Sequence, residues 1–207
     1  DDLDRFLSGL EFHSLQDRFR AERKDLVRLG RAHKNQPNLP EAAALREGVN
    51  QFKVDFKDLR ERYETTHWAR EHLLIAVPGG EGDGPAGLRD ESGSFTLLRQ
   101  ELERFAHIIF SGNPKQQIFW LGQGADGPEK LVHHYGGKKL CLHGSDAHRL
   151  EKAGVPELGR YAWLKGDATF ETLRQACIAP DTRGHVGQDP PHDPGAHGRI
   201  TALTVRE

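Results

Sequence analysis

The spacing of apolar and polar positions divides the chain into a charged, helical first third and a remainder in which short apolar runs alternate with amphipathic stretches. Over residues 17–33, Phe19, Leu26, Val27 and Leu29 stand among many Arg, Lys, Asp and Glu, which predicts a mostly solvated helix with a narrow apolar stripe. Residues 35–40 read as a loop, and Pro40 suits the first position of a new helix running through Arg46. Phe52, Phe56, Leu59 and Tyr63 fall at helical spacing and predict a helix over 52–63, with 65–68 capping one more turn.

From residue 72 the character changes. The run Leu73-Leu74-Ile75-Ala76-Val77, closed by Pro78-Gly79-Gly80, has the pattern of a strand buried on both faces. A glycine-rich loop over 79–87 follows, and Ser94 then caps a helix whose apolar residues Phe95, Leu98, Leu102, Phe105 and Ile109 are three and four apart. Ile108-Ile109-Phe110 is predicted as a second strand, stopped by Ser111-Gly112-Asn113-Pro114. Short helices over 114–121 and 128–135 lead to a third strand at 139–142 and a fourth at 161–164. A closing helix spans 169–177, with Asp167 or Thr169 as its cap. Alternating strand and helix predicts the α/β class with parallel βα units. Residues 180–198 have linker composition, and 199–207 begin a further strand. The predicted organisation is therefore a helical region over 1–71, βα units over 72–179, a linker, and the start of a following domain.

Composition narrows the function classes. With 29 Lys+Arg against 31 Asp+Glu, the net charge of −2 offers no bulk argument for nucleic-acid binding, although local basic patches remain possible. No apolar run approaches the roughly 18 residues needed to span a bilayer. Two cysteines, Cys141 and Cys177, cannot form a disulfide framework, so a reducing, cytoplasmic setting is expected. The chain lacks methionine, as an excised or partial chain would, and its 12 histidines direct attention to metal ligands.

The segment Cys141-Leu142-His143-Gly144-Ser145-Asp146-Ala147-His148 carries the most chemistry. An apolar strand stops, and a Gly-Ser turn presents a carboxylate and an imidazole one residue apart. Ligands collect at strand carboxyl ends in parallel α/β folds. There an Asp-x-His pair can offer a hard oxygen and a borderline nitrogen to one divalent ion. A cap at Asp146 and a surface imidazole at His148 are the plainer reading.

Ser145-Asp146-Ala147-His148 resembles the last metal-binding motif of the PHP (polymerase and histidinol phosphatase) superfamily of metal-dependent phosphoesterases. Residues 105–116, 86–88 with 95–101, and 163–171 are similar to stretches of its TrlF-like group, in which a PHP-like domain precedes an AAA/SMC-like ATPase. The resemblance implies a partial or distorted (βα) PHP-type barrel and divalent metal ions (Mn, Zn or Mg) held by Asp146 and His148. It further implies hydrolysis of phosphodiesters or phosphomonoesters, with nucleic acid as a possible partner and an ATPase domain beyond Glu207. The superfamily's opening His-x-His has no counterpart, since none of the 12 histidines stands two residues from another. The alternative is thus a catalytically incomplete platform for the ATPase or for nucleic acid.

Other candidates are open to more than one reading. His107, at a helix–strand junction, is a metal ligand or a half-buried structural histidine. His143 is a third ligand, a substrate contact, or a strand residue facing a helix. Asn113 meets phosphate or forms the turn before Pro114. Lys165 meets an anion or is solvated. The 79–87 loop lacks Gly-Lys-Ser/Thr and so makes no nucleotide-phosphate cradle. Cys141 is expected to be a buried thiol.

Overall fold

A computed structural model describes residues 1–15, 17–79, 93–124, 127–145 and 147–192. The predicted glycine-rich loop beyond Gly79, the resemblance at 86–88, the strand at 199–207 and Asp146 itself lie outside the described residues. The protein is of mixed α/β class and forms two compact units, Asp1–Ile75 and Ala76–Glu207.

In the first unit, α1 (Asp2–Ser8) leads into an antiparallel hairpin of β1 (Glu11–His13) and β2 (Arg18–Arg20). The helix predicted from residue 17 therefore begins later, as α2 (Arg23–Lys34). Three alternating residues explain the difference: Phe19 turns inward, stacked on its cross-strand partner Phe12 at 6.2 Å, while Arg18 and Arg20 turn outward to Glu11. The Arg28 guanidinium lies 4.1 Å over the Phe19 ring.

α2 packs along α3 (Glu41–Gln51), which starts one residue after Pro40. The two helices approach closely at small residues: a Cβ on Gly30 would strike the Ala44 carbonyl, and one on Gly48 the Leu26 carbonyl. Ala44 is completely buried between them. Phe52 ends α3 rather than opening the next helix, which is α4 (Phe56–Thr65), capped by Asp55 accepting from the Lys57 amide at 2.8 Å. α5 (His67–His72) follows. Arg62 of α4 donates to the Phe6 and Arg5 carbonyls, both at 2.6 Å, satisfying acceptors that the end of α1 leaves open.

The second unit is built on three parallel strands, β3 (Ala76–Pro78), β4 (Ile108–Phe110) and β5 (Leu140–Leu142), in the spatial order β3-β4-β5. Their register aligns Val77, Ile109 and Cys141. α6 (Gly93–Phe105) connects β3 to β4, and α7 (Pro114–Trp120) with α8 (Gly127–Tyr135) connects β4 to β5. Such crossovers are what parallel pairing requires.

The first strand of the sheet differs from expectation. It starts at Ala76 and lies at the sheet's edge, with Ala76 and Pro78 exposed and Val77 half-buried. Burial on both faces belongs to the middle strand, where Ile108 and Ile109 are sealed. Ser94 lies within α6, whose helical backbone already begins at Gly93.

Trp120, Leu131 and Tyr135 close the helical side, the Trp120 and Tyr135 rings meeting edge-on at 4.9 Å. Lys139, just before β5, is buried, and its Nζ donates to the Arg104 carbonyl at 3.0 Å and the Ala106 carbonyl at 2.6 Å. A cation thereby ties β5 to the carboxyl end of α6, where the helix dipole favours it.

β6 (Tyr161–Leu164) pairs antiparallel with β7 (Gly184–Gly187), and β7 lies against β5. Residues assigned by composition to a linker thus pack in part. Pro180–Arg183 forms a helical turn, α10, and Gly184–Gly187 pairs as a strand, with the Trp163 indole donating to the Gly187 carbonyl at 3.1 Å. Between β6 and α10, α9 (Phe170–Ile178) is capped by Thr169, whose hydroxyl accepts from the Thr172 amide at 3.1 Å. No helix among the described residues is long and apolar enough to cross a membrane.

Burial pulls the Lys139 ammonium from its ordinary 10.5 down to about 8, aided by the Arg104 guanidinium and opposed by Cys177. Between those values the folded chain holds less of this proton than the unfolded chain, so this group's contribution to stability rises with pH across that window. Lys139→Met removes the dependence. The stability of the variant minus that of wild type, from urea unfolding at pH 7 and pH 10, is expected to fall with rising pH; a constant difference contradicts the assignment.

Candidate functional site

Parallel pairing places the carboxyl ends of β3, β4 and β5 on one edge. The ladder continues one residue past the strands: the Gly79 amide donates to the Phe110 carbonyl and the Ser111 amide to the Leu142 carbonyl, both at 2.8 Å. Gly79, Ser111-Gly112-Asn113 and His143-Gly144-Ser145 accordingly leave the sheet side by side. Such an edge is where open α/β sheets bind ligands.

Each segment is held by a specific contact. Ser111 is buried, and its Oγ accepts from the Asn113 amide at 3.2 Å, turning the chain out of β4. Asn113 is exposed and caps α7, its Oδ1 accepting from the Lys115 amide at 2.9 Å with Pro114 in the first turn. That observation supports its turn-forming role. Gln116, in the same first turn, reaches back to donate from Nε2 to the Gly79 carbonyl.

Two polar atoms at this edge are buried and have no hydrogen-bond partner among the described residues: Gln116 Oε1 and His143 Nε2. Leaving a buried polar group unpaired costs about 1–3 kcal/mol, so both are poised to accept a ligand's contacts. The half-buried His143 imidazole lies directly against Gly112, where any Cβ would run into the ring. The glycine is what allows the ring to approach the turn after β4.

The remaining predicted residues are placed separately. His148 is exposed and lines a cavity together with Ser145. Asp146, between them, lies outside the described residues. Half-buried His107 precedes β4 and stands at the opposite, amino edge of the sheet. It is level with Lys139 in the register and four residues from the level of His143, roughly 13 Å at about 3.3 Å per residue. Strand direction alone thus sets its backbone well apart from that of His143. Lys165 is exposed on the β6–β7 ribbon, its amide donating to the Arg183 carbonyl at 2.9 Å. Asp167 is exposed, and Thr169 rather than Asp167 supplies the cap of α9.

Cys141 is buried and free, its thiol pushed up to about 12 by burial; Cys177 is also free and is raised by burial to about 11, opposed by Lys139. Both are neutral thiols at ordinary pH and act as small apolar side chains. Among the described residues no three His, Cys, Asp or Glu side chains converge on one point, and the position of Asp146 is not part of that set.

Sequence reasoning missed Gln116 and Gly112 as members of this edge. The Ser-Gly-Asn-Pro run marks the turn, but the reach of Gln116 depends on where α7 begins. Compared with protein-family models, with curated proteins and with solved structures, the chain finds no match.

Gly112→Ala is expected to displace the His143 ring. Its imidazole ¹H–¹⁵N resonances should shift in Gly112→Ala and stay in place in an Asn113→Asp control, which keeps a capping oxygen. Unmoved resonances in Gly112→Ala would contradict the packing described.

Proposed function

We propose that the chain is the PHP-like part of a metal-dependent phosphoesterase, its parallel strands forming a portion of a distorted (βα) barrel. The observation that carries this reading is that the chain leaving β5 through His143, Gly144 and Ser145 does so at the carboxyl edge of a parallel sheet, so that in sequence the Asp146-Ala147-His148 of the motif follows that edge. The donor chemistry supports it: His143 Nε2 is a buried imidazole nitrogen with no protein partner among the described residues, a suitable ligand for a borderline divalent ion. Asp146 and His148 would hold Mn, Zn or Mg, with His143 as a third donor. When bound, such an ion neutralises phosphate charge and lowers the pKa of its water. The chain's own residues position these donors. Gly112 lets the His143 ring approach, Ser111 turns the chain after β4, and Gln116 fixes the end of β3 through the Gly79 carbonyl.

The ATPase that the resemblance places beyond Glu207 makes phosphodiesters, nucleic-acid ends included, the expected substrates in a cytoplasmic setting. Asn113 stands on the correct edge for a phosphate contact, with its Oδ1 already engaged as a cap.

Metal content by mass spectrometry and hydrolysis of bis(p-nitrophenyl) phosphate test this. In the full-length protein, Asp146→Asn and His148→Ala are each expected to lower metal occupancy and to reduce hydrolysis by about 100-fold or more. Unchanged occupancy in both removes them from the site. Absence of metal and of hydrolysis in the wild type leaves the platform reading.

A further inference from the structure

The loop from Ala147 passes through a 3-10 turn at Leu150–Lys152 to a second at Glu157–Gly159, and together with Ser145 it walls a cavity of about 640 Å³. That volume lies within the range of about 300–1,000 Å³ typical of small-molecule sites. His148, Arg149 and Lys152 stand on its wall, and none of its described lining residues is acidic. No ion pair engages these three side chains among the described residues. In the first unit, by contrast, Arg18, Arg20, Arg23, Arg28 and Arg60 all face carboxylates. The remaining wall is apolar: Val155 is 50% exposed and Leu158 69% exposed, with Pro156 between them. Leu158 adopts φ 56°, in the left-handed region that a branched side chain rarely occupies, immediately before Gly159 at φ 64°. Strain of this kind concentrates where a loop presents a side chain to a ligand.

We infer that this cavity binds an organic phosphate of nucleotide size, the phosphate on Arg149 and Lys152 and the apolar or aromatic end on Val155 and Leu158. An arginine fork beside an ammonium is the chemistry that prefers phosphate oxygens. An apolar wall a few residues away distinguishes an organic phosphate from the inorganic ion. The inference deepens the phosphoesterase reading by naming its substrate class, and Ser145 places the cavity next to the proposed metal ligands. Binding itself requires neither metal nor turnover.

Calorimetric titration of the full chain in excess chelator tests it, with AMP, adenosine, inorganic phosphate and a 5′-phosphorylated tetranucleotide as probes. AMP is expected to bind more tightly than adenosine or phosphate. Arg149→Gln with Lys152→Gln should weaken AMP by at least about tenfold, and Leu158→Ser should weaken AMP but not phosphate. Circular dichroism checks the fold of these exposed-site variants. Unchanged AMP affinity in the double variant, or AMP no tighter than phosphate, overturns the inference. So does binding of the tetranucleotide alone, which would mark a strand-binding surface instead. Because the titration contains no metal, its failure leaves the test of Asp146 and His148 untouched, and its success stands if that test fails.

Discussion

Parallel hydrogen bonding among three strands of three residues each is the constraint on which the second unit depends. Ladders this short are held by what covers them. Ile108, Ile109 and Leu140 are sealed from water, and α6 packs on α8 across the connections. Lys139 adds a polar tie by giving its ammonium to two carbonyls at the end of α6, in a place where a cation is costly to bury and favourable to the helix. Once the strands run the same way, their carboxyl ends must share an edge. The turns that follow them are gathered there as a consequence.

That edge is built from backbone turns and short polar reaches rather than from a dense ion-pair network. Ser111 and Asn113 spend their side-chain oxygens on local amides, and Gln116 spends its Nε2 on Gly79. Among the described residues, Gln116 Oε1 and His143 Nε2 are left without a partner. A neighbouring loop carries cations without an ion-pair partner among the described residues, beside exposed apolar side chains. The proposed phosphoester chemistry draws on both: donors able to hold a divalent ion and cations able to hold the ester.

Much of the second unit was legible in sequence because continuous apolar runs bounded by turn residues identify buried strands. Ile108–Phe110, Leu140–Leu142 and Tyr161–Leu164 stand where those runs predict them, and Thr169 caps as its position before Phe170 implies. The β1–β2 hairpin was not legible, because its three-residue strands bury little besides Phe12 and Phe19 and are flanked by charge. Gly184–Gly187 escaped notice for a related reason: Gly-His-Val-Gly has almost no apolar signal, and its pairing comes from β6, some twenty residues upstream. Of the edge, the turn after β4 could be read from Ser111-Gly112-Asn113-Pro114, whereas the separation of His107 from His143 required strand direction. The cavity of Arg149 and Lys152 required the loop's path, which spacing does not encode.

The central proposal, that donors at the carboxyl edge of β3, β4 and β5 hold one cation, is tested most directly by paramagnetic relaxation. On titration with Mn²⁺, NMR signals of Gly79, Gly112, His143 and His148 should broaden together at the lowest metal concentrations, while His107 at the far edge is affected last. Broadening that spares His143 and His148, or that begins at His107, would contradict the account.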